Sequence, residues 1–328
     1  MTLTGRGIDS ATGYFIRNSG GLRYPSAMRK LPSAFRAFIA ISIFLSPALA
    51  KAQGSFKQST GALHCLWKAQ GAGSIVYFLG SVHLLQATNY PLPAVIESAF
   101  TNSQIAVFEA DVDKMEEPAE QMAMLSKISL PEGQTLKQNL APKVYEALSK
   151  HAAEVGLPMP MLEQYRPAAA IMTVEVMELM ALGADPQYGV DKHFLKLARD
   201  GGKRVIPLET VDFQIGLLTN FSKDEENLLV EKSLEDIDNE KKLFGEMVDA
   251  WRTGDSAALE KMLNKARTDA PSIFKKLVSD RTASWMPQCE KLLQGPQNAI
   301  VIVGAGHLVG PDGVIELLKK KGVKVTQL

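Results

Sequence analysis

The sequence predicts an α/β protein, with α+β as the alternative, in which strands from both ends of the chain form one sheet. Apolar runs rich in β-branched residues occur at 75–79 and 299–303, and each ends at a glycine. Between them the pattern becomes helical over two long segments, about 113–185 and 211–295. Strands at both ends with helices between them predict a central mixed sheet with two inserted helical blocks.

The first elements follow from apolar patterns around short turns. Residues 63–68 and 75–79 are predicted as a hairpin, because the Gly- and Ser-containing segment 71–74 separates them. A helix is predicted over 93–100, since proline is favoured in the first turn of a helix. The apolar run 105–109 is the next predicted strand.

The rest of the chain is predicted to alternate helices with short strands. In order, these elements are a helix over 190–199, a strand over 205–208, the second helical block, a strand over 299–303, a helix over 313–320 and a strand over 323–326. Pro207 has no N–H to donate within a sheet, so we expect its strand at a sheet edge.

The first fifty residues have the pattern of a secretory signal peptide. A basic stretch that includes Arg29 and Arg36 precedes the apolar run 37–45, and Ala48-Leu49-Ala50 follows as a small-x-small cleavage site. The apolar run is shorter than a membrane span, although an uncleaved anchor is the alternative. We therefore expect a bacterial protein that is exported to the periplasm or secreted, without a stable membrane span after cleavage.

This interpretation divides the chain into three parts. Residues 1–50 are the predicted signal peptide, with Met28 as an alternative start of translation. Residues 51–62 are polar and are predicted to form a loose tail. Residues 63–328 are predicted to be a single domain that contains both helical blocks.

The charge distribution argues against nucleic acid as the main partner. The first fifty residues hold six of the 36 basic side chains and one of the 36 acidic ones, so the remainder has a net charge of −5. Phosphate binding needs a basic face, which this composition does not provide.

The two cysteines, Cys65 and Cys289, leave two alternatives open. They could pair in an oxidising compartment, because both precede predicted strands of the same sheet. Two buried free thiols are the other interpretation.

Two segments of the same form follow predicted strands near opposite ends of the chain. These are Gly80-Ser81-Val82-His83 and Gly304-Ala305-Gly306-His307, and they contain two of the five histidines. Ligand sites in open α/β sheets lie at the carboxyl ends of strands, and glycine lets the backbone approach a ligand closely. Glu109 follows another predicted strand, and Asp111 lies on the same side of an extended chain.

The chemistry of these strand ends suits a divalent metal. His83, His307, Glu109 and Asp111 combine imidazole with carboxylate, which are ligands for Mn, Co or Zn. An open coordination position would hold a water acidic enough to attack a carbonyl group. In that site Glu109 would be a ligand or the general base. The alternative is that the histidines are structural, hydrogen-bonded residues.

Three further polar residues have simpler explanations. Glu209 and Asp191 lie near the starts of predicted helices, where an acidic residue is favourable by itself. Arg281 lies within a predicted helix. It either stabilises a developing negative charge as a catalytic helper or pairs with Asp280 or Glu290.

The sequence contains none of the motifs that identify several other enzyme classes. It contains no nucleophile elbow, P-loop, dinucleotide fingerprint or HExxH helix. The region 115–182 is rich in methionine, which predicts either core packing or a pliable groove for a hydrophobic or peptide ligand.

The chain resembles the TraB/GumN family over about residues 63–328. The segments that carry this resemblance are 66–68, 77–84, 107–111, 189–191, 198–203, 208–210 with Gln214, and 304–308 with Gly313 and Val323. The paired GxxH motifs with a glutamate between them are the most specific part of the resemblance.

The resemblance implies an erythromycin-esterase/ChaN-like fold and a relation to the TIKI metalloproteases, which use two GxxH histidines and a glutamate with Mn- or Co-type metals. It implies His83, His307 and Glu109 as the metal-binding or catalytic core, with Arg281 as a helper. The family often has Arg-Asn where this chain has Arg281-Thr282, so a hydroxyl here takes the place of an amide.

The residues and the resemblance together predict an exported metal-dependent hydrolase, in the first place a peptidase, acting on a peptide or other small substrate. Two alternatives remain. One is a non-catalytic protein that binds haem or another hydrophobic ligand through the same histidines. The other is a factor for envelope polysaccharide whose site is vestigial.

Overall fold

A six-stranded mixed sheet forms the centre of the computed structural model, which describes residues 63–237 and 240–328. The strands are β1 (Leu66–Gln70), β2 (Ile75–Ser81), β3 (Ile105–Phe108), β4 (Arg204–Pro207), β5 (Ala299–Gly304) and β6 (Val325–Gln327). Their order across the sheet is β4-β3-β5-β2-β1-β6, so strands from both ends of the chain are neighbours. The predicted α/β fold with a mixed sheet is confirmed. The predicted signal peptide and tail lie outside the described residues.

Four of the six strands form a parallel core of the sheet. β4, β3, β5 and β2 run parallel, whereas β1 is antiparallel to both β2 and β6. All six residues of β5 are buried, as expected for an apolar strand in the middle of a parallel sheet. β4 contains Pro207 and lies at the edge of the sheet, as its proline predicted.

Helices occupy the connections between the strands. They are α1 (Ala94–Thr101), α2 (Val112–Met115), α3 (Pro118–Ile128), α4 (Leu136–Asn139), α5 (Pro142–Glu154), α6 (Met159–Leu162), α7 (Pro167–Ala181), α8 (Val190–Asp200), α9 (Val211–Leu217), α10 (Lys223–Ile237), α11 (Glu240–Thr253), α12 (Ser256–Asp269), α13 (Pro271–Phe274), α14 (Asp280–Gln294) and α15 (Val314–Lys320). Within the described part of the chain, no helix is both long enough and apolar enough to cross a membrane.

The register of the parallel strands brings their carboxyl ends to one edge of the sheet. Ser81 of β2 pairs with Gly304 of β5, and Phe108 of β3 pairs with Ile302 of β5 and Pro207 of β4. The backbone N–H of Glu209 then donates to the carbonyl of Glu109 over 2.8 Å, which extends the β3–β4 contact beyond the strands. The residues that follow all four strands are therefore neighbours.

The cysteines are two buried free thiols, which decides between the alternatives left open by the sequence. Burial raises the pKa of each thiol to about 12, so neither is a reactive thiolate at neutral pH. Gly80 is required beside Cys65, because a Cβ atom at residue 80 would lie 2.4 Å from the Cys65 sulfur.

Candidate active site

Four buried side chains converge at the carboxyl edge of the parallel strands. His83 follows β2, Glu109 follows β3, Glu209 follows β4 and His307 follows β5. Each is less than one-tenth exposed. The sequence predicted the convergence of His83, Glu109 and His307 from the positions of these residues after strands of one sheet.

Arg281 of α14 lies at the centre of this group and is 1% exposed. Its Nε and Nη2 atoms donate to the two carboxylate oxygens of Glu209 over 2.9 and 2.8 Å, and Nη2 also donates to Oε2 of Glu109 over 2.7 Å. Nη1 donates to the carbonyl of Leu277 over 3.1 Å, within the π-helical turn that precedes α14. This single guanidinium therefore holds the ends of β3 and β4 to α14.

Glu109 is held in its ionised form. Burial by itself would raise the pKa of this carboxyl, but Arg281, the two histidines and the N–H of Gly304 lower it to about 2. That N–H donates to Oε1 of Glu109 over 2.5 Å. A carboxylate with so low a pKa is a weak proton acceptor at neutral pH, so this environment does not suit the predicted role of Glu109 as a general base.

The contacts of His307 determine where its proton lies. Arg281 has only donors, so the Nε2 atom of His307, 3.2 Å from Nη1, must accept a hydrogen bond. Burial, with the positive charge of Arg281, lowers the pKa of His307 to about 3, although Glu109 opposes the change. The neutral ring therefore carries its proton on Nδ1 and donates to the Thr282 hydroxyl over 2.8 Å, which in turn donates to the carbonyl of Val278.

The pKa of His83 is shifted in the opposite direction. Its Nδ1 atom lies 3.0 Å from Oδ1 of Asp191, which also accepts a hydrogen bond from the Ser81 hydroxyl. Burial would lower the pKa of His83, but the charges and hydrogen bond of Asp191, with the charge of Glu109, raise it above 6.5. Burial raises the pKa of Asp191, but His83 and Ser81 lower it overall, so Asp191 is ionised and the Nδ1 atom of His83 carries the proton.

The Nε2 atom of His83 is buried and has no hydrogen-bond partner among the described residues. Because Nδ1 is committed to Asp191, Nε2 carries the lone pair of the neutral ring. A buried imidazole nitrogen without a protein partner is uncommon in a native structure and calls for an explanation, such as a catalytic role or a bound water or ion.

The first turn of α8 packs directly against the end of β2. The backbone N–H of Val190 donates to the carbonyl of Val82 over 3.1 Å. A Cβ atom at Gly189 would lie 2.5 Å from the carbonyl oxygen of His83, so this approach requires glycine. The close contact is what brings Asp191 within hydrogen-bonding distance of His83.

A cavity of about 140 Å³ opens onto the two histidines. Ser81, His83, Gly306 and His307 form its wall on the side of the sheet, and α10 to α13 supply most of the rest. Arg281 and Glu109 do not line it. The structure therefore places the two histidines beside the space where a ligand would bind, and Arg281 and Glu109 behind them.

Asp111, predicted as a metal ligand, is not brought into this group. β3 ends at Phe108 and α2 begins at Val112, so the chain is no longer extended where the prediction required it. The carboxylate of Asp111 instead forms an ion pair with Arg199 at 2.5 Å.

Asp191 and Glu209 were not predicted as functional residues from the sequence. Both lie near a helix start, which was a sufficient local explanation for an acidic residue. In the structure Thr210 caps α9 by accepting from the N–H of Phe213, so Glu209 is available for Arg281, Trp285 and Gln214. The position of Glu209 directly after a strand was the sequence feature that could have identified it.

The predicted methionine-rich groove is not where the cavity lies. Met124 and Met172 are buried in the core, and Met122 and Met161 are exposed. The methionines that line the cavity, Met247 and Met262, belong to the second helical block instead.

The donor atoms of His83, Glu109 and His307 do not form a preassembled metal site. In residues 63–237 and 240–328, their donor atoms do not come within 4.8 Å of one another as a set. The Nε2 atom of His307 and the carboxylate of Glu109 are both engaged by Arg281, whose positive charge occupies the centre where a metal ion would lie. The residues present therefore do not fit a divalent ion in this arrangement.

A different group could hold a metal ion. His151 and Glu154 of α5 and Glu178 of α7 place one donor atom each within 4.8 Å of one another. The Nδ1 atom of His151 lies 3.2 Å from Oε2 of Glu154. Burial, together with the charge of Glu154, raises the pKa of Glu178.

The fold and this edge define an α/β protein with an Arg-centred His–Glu cluster at the carboxyl ends of its parallel strands. The model of the TraB/PrgY/gumN family matches residues 65–327, and the chain belongs to that family.

Two curated relatives are similar over most of their length. They are "Uncharacterized protein YbaP" of Escherichia coli (strain K12) and the protein of the same name from Shigella flexneri. Each is 24% identical over 244 residues, which is 74% of this chain and 87% of the relative. No solved structure matches the chain significantly.

Proposed function

We propose that this protein is an exported hydrolase in which His83, oriented by Asp191, is the general base that activates water. The observation that carries the proposal is His83, which lines a cavity and whose Nε2 atom is buried and has no hydrogen-bond partner among the described residues. The substrate class is one with an amide or ester bond, and a peptide is the first candidate.

In the proposed reaction, the imidazole of His83 acts first as a base and then as an acid. Neutral His83 accepts a proton from a water molecule at Nε2 while the oxygen of that water attacks the carbonyl carbon. The imidazolium that forms is stabilised by the Asp191 carboxylate at Nδ1. It then gives the same proton to the leaving amine or alkoxide, which restores the neutral base.

Arg281 acts in this proposal as a positioning residue. It does not line the cavity, and its donors are directed at Glu109, Glu209 and His307. Its contacts hold the strand ends together and keep His307 neutral beside His83. The Thr282 hydroxyl supports this arrangement because it accepts the Nδ1 proton of His307.

The metal-dependent form of the hydrolase, with the metal on His83, His307 and Glu109, is the competing mechanism. It requires Arg281 to release both Glu109 and His307, since a lone pair that accepts from a guanidinium is not available to a metal. The chemistry of imidazole and carboxylate donors suits Mn, Co or Zn, and export would expose the site to metals outside the cytoplasm.

One screen tests both mechanisms. Purified protein, with and without prior EDTA treatment, is assayed against fluorogenic peptides and aryl esters beside His83→Gln and the matched control His64→Gln. We expect activity that survives EDTA, is lost in His83→Gln and is retained in His64→Gln. Activity that EDTA removes and Mn, Co or Zn restores would replace the proposal with the metal-dependent form. The absence of turnover on every substrate, or full activity in His83→Gln, would contradict it.

Binding of a hydrophobic ligand without turnover is the second candidate, and the apolar cavity beside two histidines favours it. The volume of this cavity, about 140 Å³, is close to the roughly 150 Å³ of a cavity that holds benzene. A cavity of this volume is far too small for haem. Ligand uptake at one molecule per protein without hydrolysis would support this candidate.

A further inference from the structure

The cavity beside His83 has walls that are mostly apolar. Helices α10 to α13 and the π-helical turn supply Leu229, Met247, Leu259, Leu263, Phe274 and Leu277. Each of these side chains is buried in the protein core. An apolar cavity of this kind favours an apolar occupant, because water inside it would have few hydrogen-bonding partners.

The size of the cavity limits what it can hold. At about 140 Å³ it is comparable to the roughly 150 Å³ apolar cavity that stays dry and binds benzene. The occupant therefore has about the size of one aromatic ring or one branched aliphatic side chain.

The charged groups at the cavity are paired with one another or are partly neutralised. Lys265 lies 3.0 Å from both Asp236 and Asp269, so one lysine serves two carboxylates, and Lys232 pairs with Glu235 over 2.8 Å. Burial, with the negative charge of Asp236, raises the pKa of Glu175 to about 7, so this carboxyl is not a permanent negative charge at neutral pH. The ionised side chains of the lining are thus already engaged in ion pairs, and the remaining surface of the cavity is mostly apolar.

We propose that this cavity is a specificity pocket that accepts one neutral, apolar group of about the size of a benzene ring. His83 and His307 lie on its wall, so the group that fills it is attached next to the bond that reacts. The assignment of this group as part of a substrate rests on the proposed hydrolase function, whereas its binding does not.

The first test measures binding without catalysis. Toluene, benzylammonium and benzoate have similar shapes and differ in charge, and each is titrated by NMR against the purified full chain. We expect toluene to bind at one molecule per protein, and both charged probes to bind at least about tenfold weaker. Failure of toluene to bind, or equal or tighter binding of either charged probe, would overturn the pocket.

Two variants of α12 locate the binding. Ala266 lines the cavity, whereas Ala257 lies on the exposed side of the same helix and is the matched control. Ala266→Phe should reduce toluene affinity more than tenfold, and Ala257→Phe should leave it unchanged. If Ala266→Phe does not fold, Leu259→Ala enlarges the same cavity and should admit naphthalene, which the wild type excludes. A Leu259→Ala variant with unchanged ligand preference would contradict the proposal.

The outcome separates this proposal from the proposed function. If toluene binding is lost in Ala266→Phe and the protein cleaves no substrate, the specificity pocket is supported and the proposed hydrolase function is contradicted. The reverse outcome is cleavage that depends on His83 but has the same kcat/KM for substrates with Gly, Leu or Phe at the cleaved bond. That result would support the hydrolase function and contradict the specificity pocket.

Discussion

The Nδ1 atom of His83 lies 3.0 Å from Oδ1 of Asp191, although the two residues are separated by more than one hundred positions in the sequence. This contact fixes the ring of His83, which lines the cavity, with its lone pair on the buried Nε2 atom. Asp191 is in turn held by the Ser81 hydroxyl, which also accepts from the N–H of Asp191. The pair has the geometry of a base and the group that orients it.

Removal of the Arg281 guanidinium should strongly destabilise the fold. Arg281→Met leaves the buried carboxylates of Glu109 and Glu209 without their cation, and loss of one partner of a buried ion pair costs about 3–5 kcal/mol. Urea unfolding of the variant measures this free energy.

Arg199→Met is the matched control for Arg281→Met, because Arg199 pairs with Asp111 and Asp113 at the surface. Exposed pairs contribute up to about 1 kcal/mol. Equal losses in the two variants would show that the Arg281 cluster has no special role in stability.

Gly189→Ala should separate Asp191 from His83. The added Cβ would lie 2.5 Å from the carbonyl oxygen of His83, so the start of α8 must shift at a cost of about 1–3 kcal/mol. We expect lower stability together with lower kcat. In Gly216→Ala the new methyl group meets open space within α9, and there alanine should be neutral or stabilising. Wild-type activity in Gly189→Ala would show that the close approach does not position Asp191.

Thr282→Val should disturb His307 while preserving the shape of the side chain. The Nδ1 proton of His307 loses its acceptor, and an unsatisfied buried donor costs about 1–3 kcal/mol. Thermal unfolding and the nitrogen chemical shifts of His307 measure the two effects. Thr282→Ser keeps the hydroxyl and should resemble the wild type in its His307 shifts; a Ser variant as perturbed as the Val variant would refute the proton assignment.

The sequence predicted which strands position the site more completely than it predicted the contacts between the side chains of the site. His83, Glu109 and His307 could be placed together because strands of one parallel sheet end at one edge. Arg281 was considered as a helper or as a partner of Asp280 or Glu290, but its actual partners were not predicted, because Glu109 and Glu209 approach it only in three dimensions.

The predictions for two residues considered only their neighbours in the sequence. Asp111 was placed beside Glu109 on the assumption of an extended chain, but the strand ends at Phe108 and Arg199 attracts the carboxylate. Asp191 was explained by the start of α8, and no local pattern indicates that Gly189 brings that helix against β2. Such contacts depend on packing between elements that are distant in sequence.

The most direct test of the account is the pH dependence of kcat/KM, measured for a substrate from the screen in the wild type and in Asp191→Asn. Neutral His83 is the active form, and against the effect of burial Asp191 raises its pKa above that of a free imidazole. The wild-type rate should therefore rise with pH through a midpoint higher than that of a free imidazole and then reach a plateau. Loss of the Asp191 charge should move the midpoint to lower pH and reduce the plateau by about 10²–10⁴-fold. A wild-type rate that is independent of pH between 5 and 9, or an Asp191→Asn profile identical to the wild type, would contradict the assignment of His83 as the base.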